Sequence, residues 1–348
     1  MQLFGHEKTK LPIIQALRGL AALAVAWGHL TYGLPEFEKT ALGASGRQGY
    51  LGVYIFFVIS GFIVPYAMFH GGYKLGNFWQ FLKKRIVRVE PPYLLSIAIS
   101  LGIWWASGFS SLYQGGAPQV TWTQLALHVG YMIPFTDYPW ISGVYWSLAV
   151  EFQYYLVLSL MLPLFISRRA SVRIPACLLF AAICLVWRPH HSLPELAPVF
   201  MVGIAAMLYM VGVSSRKELA LVAGLCAAMA YKSLWFEAVA VTVATLLCIL
   251  FIKSAPAVLL FVGDISYSLY LLHDMVGRRV VHIGAHFVPT RLAFVLPFLA
   301  MAAAIVLAWA MFRLVELPAK RIAGRLKYQK ADAREKSSGM TLISTTTT

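Results

Sequence analysis

The side chains that could do chemistry are ionisable groups set inside apolar runs. Arg18 and His29 lie eleven residues apart in one such run, Leu11 to Tyr32. Eleven residues at 3.6 per turn is close to three turns, so both share one helix face, about 16 Å apart in height. An arginine there can snorkel or grip an anion, and a histidine can pack or move a proton near neutral pH. Two such sites aligned on one face suggest a lined path. Glu151, in the run Trp146-Ser147-Leu148-Ala149-Val150-Glu151, sits at a depth similar to His29. A carboxylate beside a histidine can orient the imidazole and stabilise its protonated form, as in a catalytic triad; an interhelical ion pair with an arginine is the equal alternative. Arg85 and Arg88 are three apart and share a face. Guanidinium groups match phosphate in bidentate fashion, although basic residues here also serve as plain anchors at a membrane surface.

Other polar residues are weaker candidates. Ser60, Ser147 and Tyr267 could donate to a developing oxyanion. Asp264 is placed on the inner half of a helix and His273 near its outer end, while Glu316 is expected to partner Arg85 or Arg313. His190 and His191 are adjacent in an outer loop and say little for a metal. Cys177, Cys184, Cys226 and Cys248 all lie in apolar segments without paired short spacing, so no metal is expected.

The elements that must hold these groups follow from composition. Of 348 residues, 59% are hydrophobic and 12% charged; soluble domains average nearer 45 to 50% and a quarter. Mean hydropathy is +0.71 over the whole chain. That excludes an ordinary soluble domain and a disordered chain. The net charge of +15 falls in short clusters between apolar runs, which read as topology signals and not as a nucleic-acid surface. A spanning helix needs about 20 mostly apolar residues. Runs near 11–32, 49–69, 87–107, 143–166, 173–188, 195–213, 218–233, 235–252, 257–276 and 291–315 predict an all-α polytopic membrane protein of about ten transmembrane helices. With the N-terminus cytoplasmic and the spans alternating, the inner side collects twenty Lys and Arg against seven outside. This asymmetry predicts that both termini are cytoplasmic. The chain then divides into a cytoplasmic segment 1–10, a transmembrane domain 11–320 and a cytoplasmic tail 321–348, disordered at its end. Trp122 to Phe135 is too short and polar to cross, and is read as interfacial or re-entrant. No cleavable signal is evident, because the first apolar run carries Arg18.

In their order and spacing, several fragments resemble acyltransferase family 3, the bacterial integral-membrane acyltransferases that modify surface carbohydrate. They are Leu17-Arg18-Gly19-Leu20-Ala21-Ala22 with His29, Phe56 to Phe62, Arg85 with Arg88, Trp146-Ser147-Leu148 with Glu151, Ser266 to His273, and Glu316 with Pro318. The resemblance runs from Leu11 to about Arg321. It implies about ten helices in a bacterial inner membrane. The donor it implies is acyl-coenzyme A, commonly acetyl-coenzyme A, taken from the cytoplasm, and the acceptor is a glycan hydroxyl. By the same resemblance Arg18 and His29 match the family's Arg, ten residues, His motif, with His29 the essential histidine. Arg85 and Arg88 match its paired arginines at the cytoplasmic mouth. Some relatives carry a soluble extracytoplasmic domain after the last span; the present chain looks more like the stand-alone subgroup that decorates exopolysaccharide. The catalytic expectation is therefore His29 with Glu151, and the donor-binding expectation is Arg18, Arg85 and Arg88. The competing class is a transporter or flippase in which Arg18, Glu151 and His273 line a substrate route. The lack of a visible internal repeat weighs against a transporter built of two related halves. A scaffold or sensor would gain little from so many desolvated charges.

Overall fold

Lipid offers no water to unpaired peptide groups, so an apolar run is driven to satisfy its own backbone as a helix. The computed structural model describes residues 11–32, 34–35, 37, 39–109 and 119–328. The expected N-terminal segment and most of the expected tail lie outside them. Among the described residues the chain is all helical, with no strand. The helices are α1 (Pro12–Thr31), α2 (Ala41–Gly46), α3 (Leu51–His70), α4 (Phe78–Ser107), α5 (Trp122–Val129), α6 (Trp146–Phe165), α7 (Ala170–Val186), α8 (Leu193–Met210), α9 (Arg216–Ser233), α10 (Phe236–Phe251), α11 (Ala257–Phe287), α12 (Leu296–Met311) and α13 (Leu317–Arg325).

Every one of the ten apolar runs is helical, but among the described residues only 7 helical segments are long and apolar enough to cross a membrane. Those contain α1, α3, α4, α6, α8, α11 and α12. The others fall short for different reasons: α7 and α10 are apolar but have 17 and 16 residues. The α9 sequence carries Arg216, Lys217 and Glu218 in its first turn, and it opens with a capping box between Ser215 and Glu218. Two boundaries also move. Helix α4 begins at Phe78, so the basic stretch with Arg85 and Arg88 is already helical, and it continues through Pro91 and Pro92. Helix α11 runs on to Phe287, because Asp274 and Arg278, one turn apart, support its polar second half. His273 therefore lies at mid-helix and not near an end.

Packing depends on small residues at two crossings. A Cβ on Gly263 of α11 would collide with the Gln15 carbonyl of α1, and one on Gly19 with the Leu259 carbonyl. The same backbone approach joins α3 to α8 at Gly61 and Gly203. Between lipid-soluble helices such close contact supplies the dispersion that burial from water cannot. Large rings fill the space beside it, with Phe57 and Tyr154 at 4.9 and 4.2 Å from the Phe200 ring. The consequence for function is that α1 is locked in register against α11 on one side and lies against α3 on another.

Candidate active site

His29, near the C-terminal end of α1, meets α11. Its Nδ1 lies 3.0 Å from Nε2 of His273 and 3.5 Å from Oδ1 of Asp274. The two imidazoles stack with centroids 5.0 Å apart. His273 is fully buried, and its Nδ1 lies 3.1 Å from the Leu269 carbonyl. Arg278 Nε donates to Asp274 Oδ1 at 2.5 Å. The His29 side chain keeps 36% of its surface exposed, so one edge of the ring is held and the rest is reachable.

Glu151 takes a different place from the one expected. It accepts a hydrogen bond from Ser60 Oγ at 2.6 Å and lines a small cleft with Arg85, Glu90, Tyr131, Leu148 and Tyr155. His29 and Glu151 form no hydrogen bond or ion pair among the described residues. The reason is azimuth: equal depth on two helices is not adjacency. Helix α6 packs on α3, α4, α7 and α8, while α1 packs on α3 and α11. It is therefore α3, through Ser60, that meets the carboxylate.

The expected donor-binding arginines do converge. The Arg85 guanidinium sits over the rings of Tyr155 and Phe81, 5.2 and 5.4 Å from their centroids. Arg88 lies within electrostatic reach of Arg85, Arg18 and Glu316, and Lys320 within reach of Arg18 and Arg88. Four cations from α1, α4 and α13 thus share one region, with Lys320 an addition the sequence reading lacked. Glu316 is not the partner of Arg85 or Arg313. It accepts from Ser268 N and Oγ at 3.2 and 2.6 Å and pairs with Lys320 at 2.6 Å. The i,i+4 spacing to Lys320, and a π-helical turn over Phe312–Glu316 that faces α11, explain the choice. Asp264 accepts from Gln15 at 2.5 Å and is thereby a helix-crossing contact.

The hydroxyls proposed as oxyanion donors are engaged. Ser60 is bonded to Glu151, Tyr267 donates to the Val89 carbonyl at 2.9 Å, and Ser147 is 2.6 Å from the Tyr270 hydroxyl. His190 and His191 have a packing explanation: His191 stacks on Trp146 and on His190 at 4.0 and 3.8 Å, and its backbone N–H donates to Glu195. Burial there, with His190 adding to it, lowers the His191 imidazole to about 4. No group of three or more His, Cys, Asp or Glu among the described residues is arranged to hold a metal.

A helical chain with a histidine pair and a cation cluster has many possible relatives, and the sequence match is specific. The model of acyltransferase family 3, described as an acyltransferase domain, matches residues 11–313. The chain belongs to this family. The matched range of the acyltransferase family 3 domain contains Arg18, His29, Arg85, Arg88, Glu151, His273 and Asp274. Similar curated proteins include the O-acetyltransferase OatA of Staphylococcus aureus strain NCTC 8325 / PS 47 and that of strain COL. Each is 21% identical over 89% of this chain and 57% of its own length. The chain thus spans little more than half the length of these relatives. No solved structure matches it.

Proposed function

We propose that the chain is a membrane O-acyltransferase that moves an acetyl group from acetyl-coenzyme A, bound from the cytoplasm, to a hydroxyl of an exported or surface glycan such as an exopolysaccharide. In this reading ten helices cross a bacterial inner membrane with both termini inside, the short helices α7 and α10 and the basic-tipped α9 included. The single observation that carries the reading is the half-exposed His29 imidazole, anchored at one nitrogen, inside a matched acyltransferase domain. The S. aureus relatives, named O-acetyltransferases, favour acetyl as the group transferred.

The donor's phosphates are strongly anionic, and Arg85, Arg88, Arg18 and Lys320 form the cationic region to receive them. His29 acts as general base. The acceptor hydroxyl oxygen attacks the thioester carbonyl carbon as its proton passes to His29, the carbon–sulfur bond breaks, and the proton is handed to the departing thiolate. A positioned base contributes about 10² to 10⁴-fold, so donors to the oxyanion must add to it. Ser60, Ser147 and Tyr267 would have to exchange their present partners to serve. Glu151, beside Arg85, belongs to the donor cleft and not to the base.

Purified protein in nanodiscs with radiolabelled acetyl-coenzyme A tests the reading. Acetyl release to water or to added glycan is expected for the wild type and lost in His29→Ala, with donor binding retained. Folded wild-type protein that neither binds nor turns over the thioester would overturn it, and would favour a transporter for a glycan or an anion.

A further inference from the structure

We infer that His273 and Asp274 are positioning residues for His29: His273 fixes the tautomer that leaves His29 Nε2 as the lone-pair nitrogen, and Asp274 supplies the counter-charge once that nitrogen is protonated. The role of Asp274 rests on the acyltransferase reading; the role of His273 stands on geometry alone.

The chain of reasoning begins at a backbone carbonyl. A carbonyl oxygen can only accept, so the His273 nitrogen facing Leu269 O at 3.1 Å, Nδ1, carries the hydrogen. In a neutral imidazole the other nitrogen is then bare. A cationic His273 would set a full charge at a site with no exposed surface, at a large desolvation cost. The bare Nε2 faces His29 Nδ1 at 3.0 Å and can only accept, so His29 donates from Nδ1. The lone pair of His29 is therefore on Nε2, away from α11 and on the unanchored side of the ring. A carbonyl two rings distant selects which nitrogen is the base, in the way an anchoring partner selects the tautomer of a catalytic histidine.

Asp274 completes the arrangement. Its Oδ1 is 3.5 Å from His29 Nδ1 and is held from behind by Arg278 Nε at 2.5 Å, one helical turn along α11. When the acceptor hydroxyl gives its proton to Nε2, the ring carries two N–H groups and a positive charge. Nδ1–H keeps its bond to His273, and the carboxylate faces the new charge where few waters screen it. Transfer of the proton from Nε2 to the thiolate returns the ring to its resting form. Glu151 does not do this, since its carboxylate accepts from Ser60 Oγ and lines a cleft with Arg85 and Tyr155.

The test uses full-length protein in nanodiscs, labelled with ¹⁵N-histidine, with the His29 signals assigned by their loss in His29→Gln. A pyrrole-type Nδ1 and a pyridine-type Nε2 are expected in the wild type. In an Asp274→Leu background, which removes the second acceptor near Nδ1, His273→Phe keeps a ring but leaves Nδ1 no acceptor, so the His29 pattern should shift toward the opposite tautomer, and His273→Gln in that background, whose side-chain carbonyl accepts, should restore it. A pyridine-type Nδ1 on His29 in the wild type overturns the assignment without recourse to any variant, and so does an unchanged spectrum in the folded double variant that combines His273→Phe with Asp274→Leu. In acetyl-coenzyme A turnover, Asp274→Asn and His273→Phe should each lower kcat about 10- to 100-fold while KM for the donor stays within about twofold, as for loss of a partner that orients a functional histidine. An unchanged kcat in Asp274→Asn overturns its role. Wild-type protein with the expected tautomer and no turnover would sink the acyltransferase reading and the role of Asp274 with it, while leaving that of His273 standing.

Discussion

Glu151 and Asp274 each bring a carboxylate into the same bundle, and their neighbours give them different work. Glu151→Gln retains an oxygen for Ser60 Oγ, so the helix pair should hold. Its loss of charge beside Arg85 should alter the donor KM more than kcat, measurable by steady-state kinetics against acetyl-coenzyme A. Arg85→Ala should raise that KM about tenfold, equivalent to about 1.4 kcal/mol of binding, with kcat nearly unchanged; an unaltered KM would return Arg85 to anchoring. Arg18 and His29 were legible in the sequence because a charge in an apolar run is conspicuous, and Arg85 and Arg88 because they share one face, three residues apart, in a basic stretch at the entry to a helix. Asp274 was not, since beside His273 and four residues before Arg278 it reads as one half of a helix-surface ion pair. The misplacement of Glu151 has the same root: periodicity gives height along a helix but not which neighbour the helix turns its face to.

At the scale of elements, the α1 and α11 crossing sets the distance between His29 and His273. Gly263→Ala drives a methyl group into the Gln15 carbonyl, and an overpacked contact of this kind costs about 1 to 3 kcal/mol. A lower Tm is expected, together with lost turnover in the protein that remains folded, because the pair separates when α1 moves; an unchanged Tm would show that the crossing yields freely. The loop before α8 offers a different test. His191 is lowered to about 4 in the folded chain, by burial first and His190 second, from an ordinary value of about 6.5. A histidine that is harder to protonate when folded contributes fully above about pH 6.5 and loses its contribution as pH falls toward 4. Hydrogen exchange around residues 187–193 should therefore rise across that window relative to a His191→Phe variant, which has no proton to take up. Helix positions were readable from apolar runs, but the start of α4 and the end of α11 were not. Both helices extend into polar sequence that hydropathy assigns to loops.

At the scale of the whole molecule, composition alone required a helical membrane protein, and the ten helical runs follow from it. Crossing is a stricter matter, since α7, α9 and α10 are held by packing against α8 and α3 as much as by their own hydropathy. Single-cysteine labelling in a background without the four native cysteines separates the possibilities. With ten spans, a cysteine at Gly72 should be reached only from the cytoplasm and one at Pro189 only from outside; labelling of both from one side would mean that a helix between them does not cross. Finally, on the proposed reading the cation region formed by Arg18, Arg85, Arg88 and Lys320 would grip the portion of a coenzyme A thioester that the reaction leaves untouched. Spent carrier would then fit there as well as loaded carrier does. Turnover in a closed vesicle should slow as free coenzyme A accumulates, competitively with the donor, so the pace of glycan decoration would follow the ratio of charged to uncharged carrier in the cell and not the amount of donor alone.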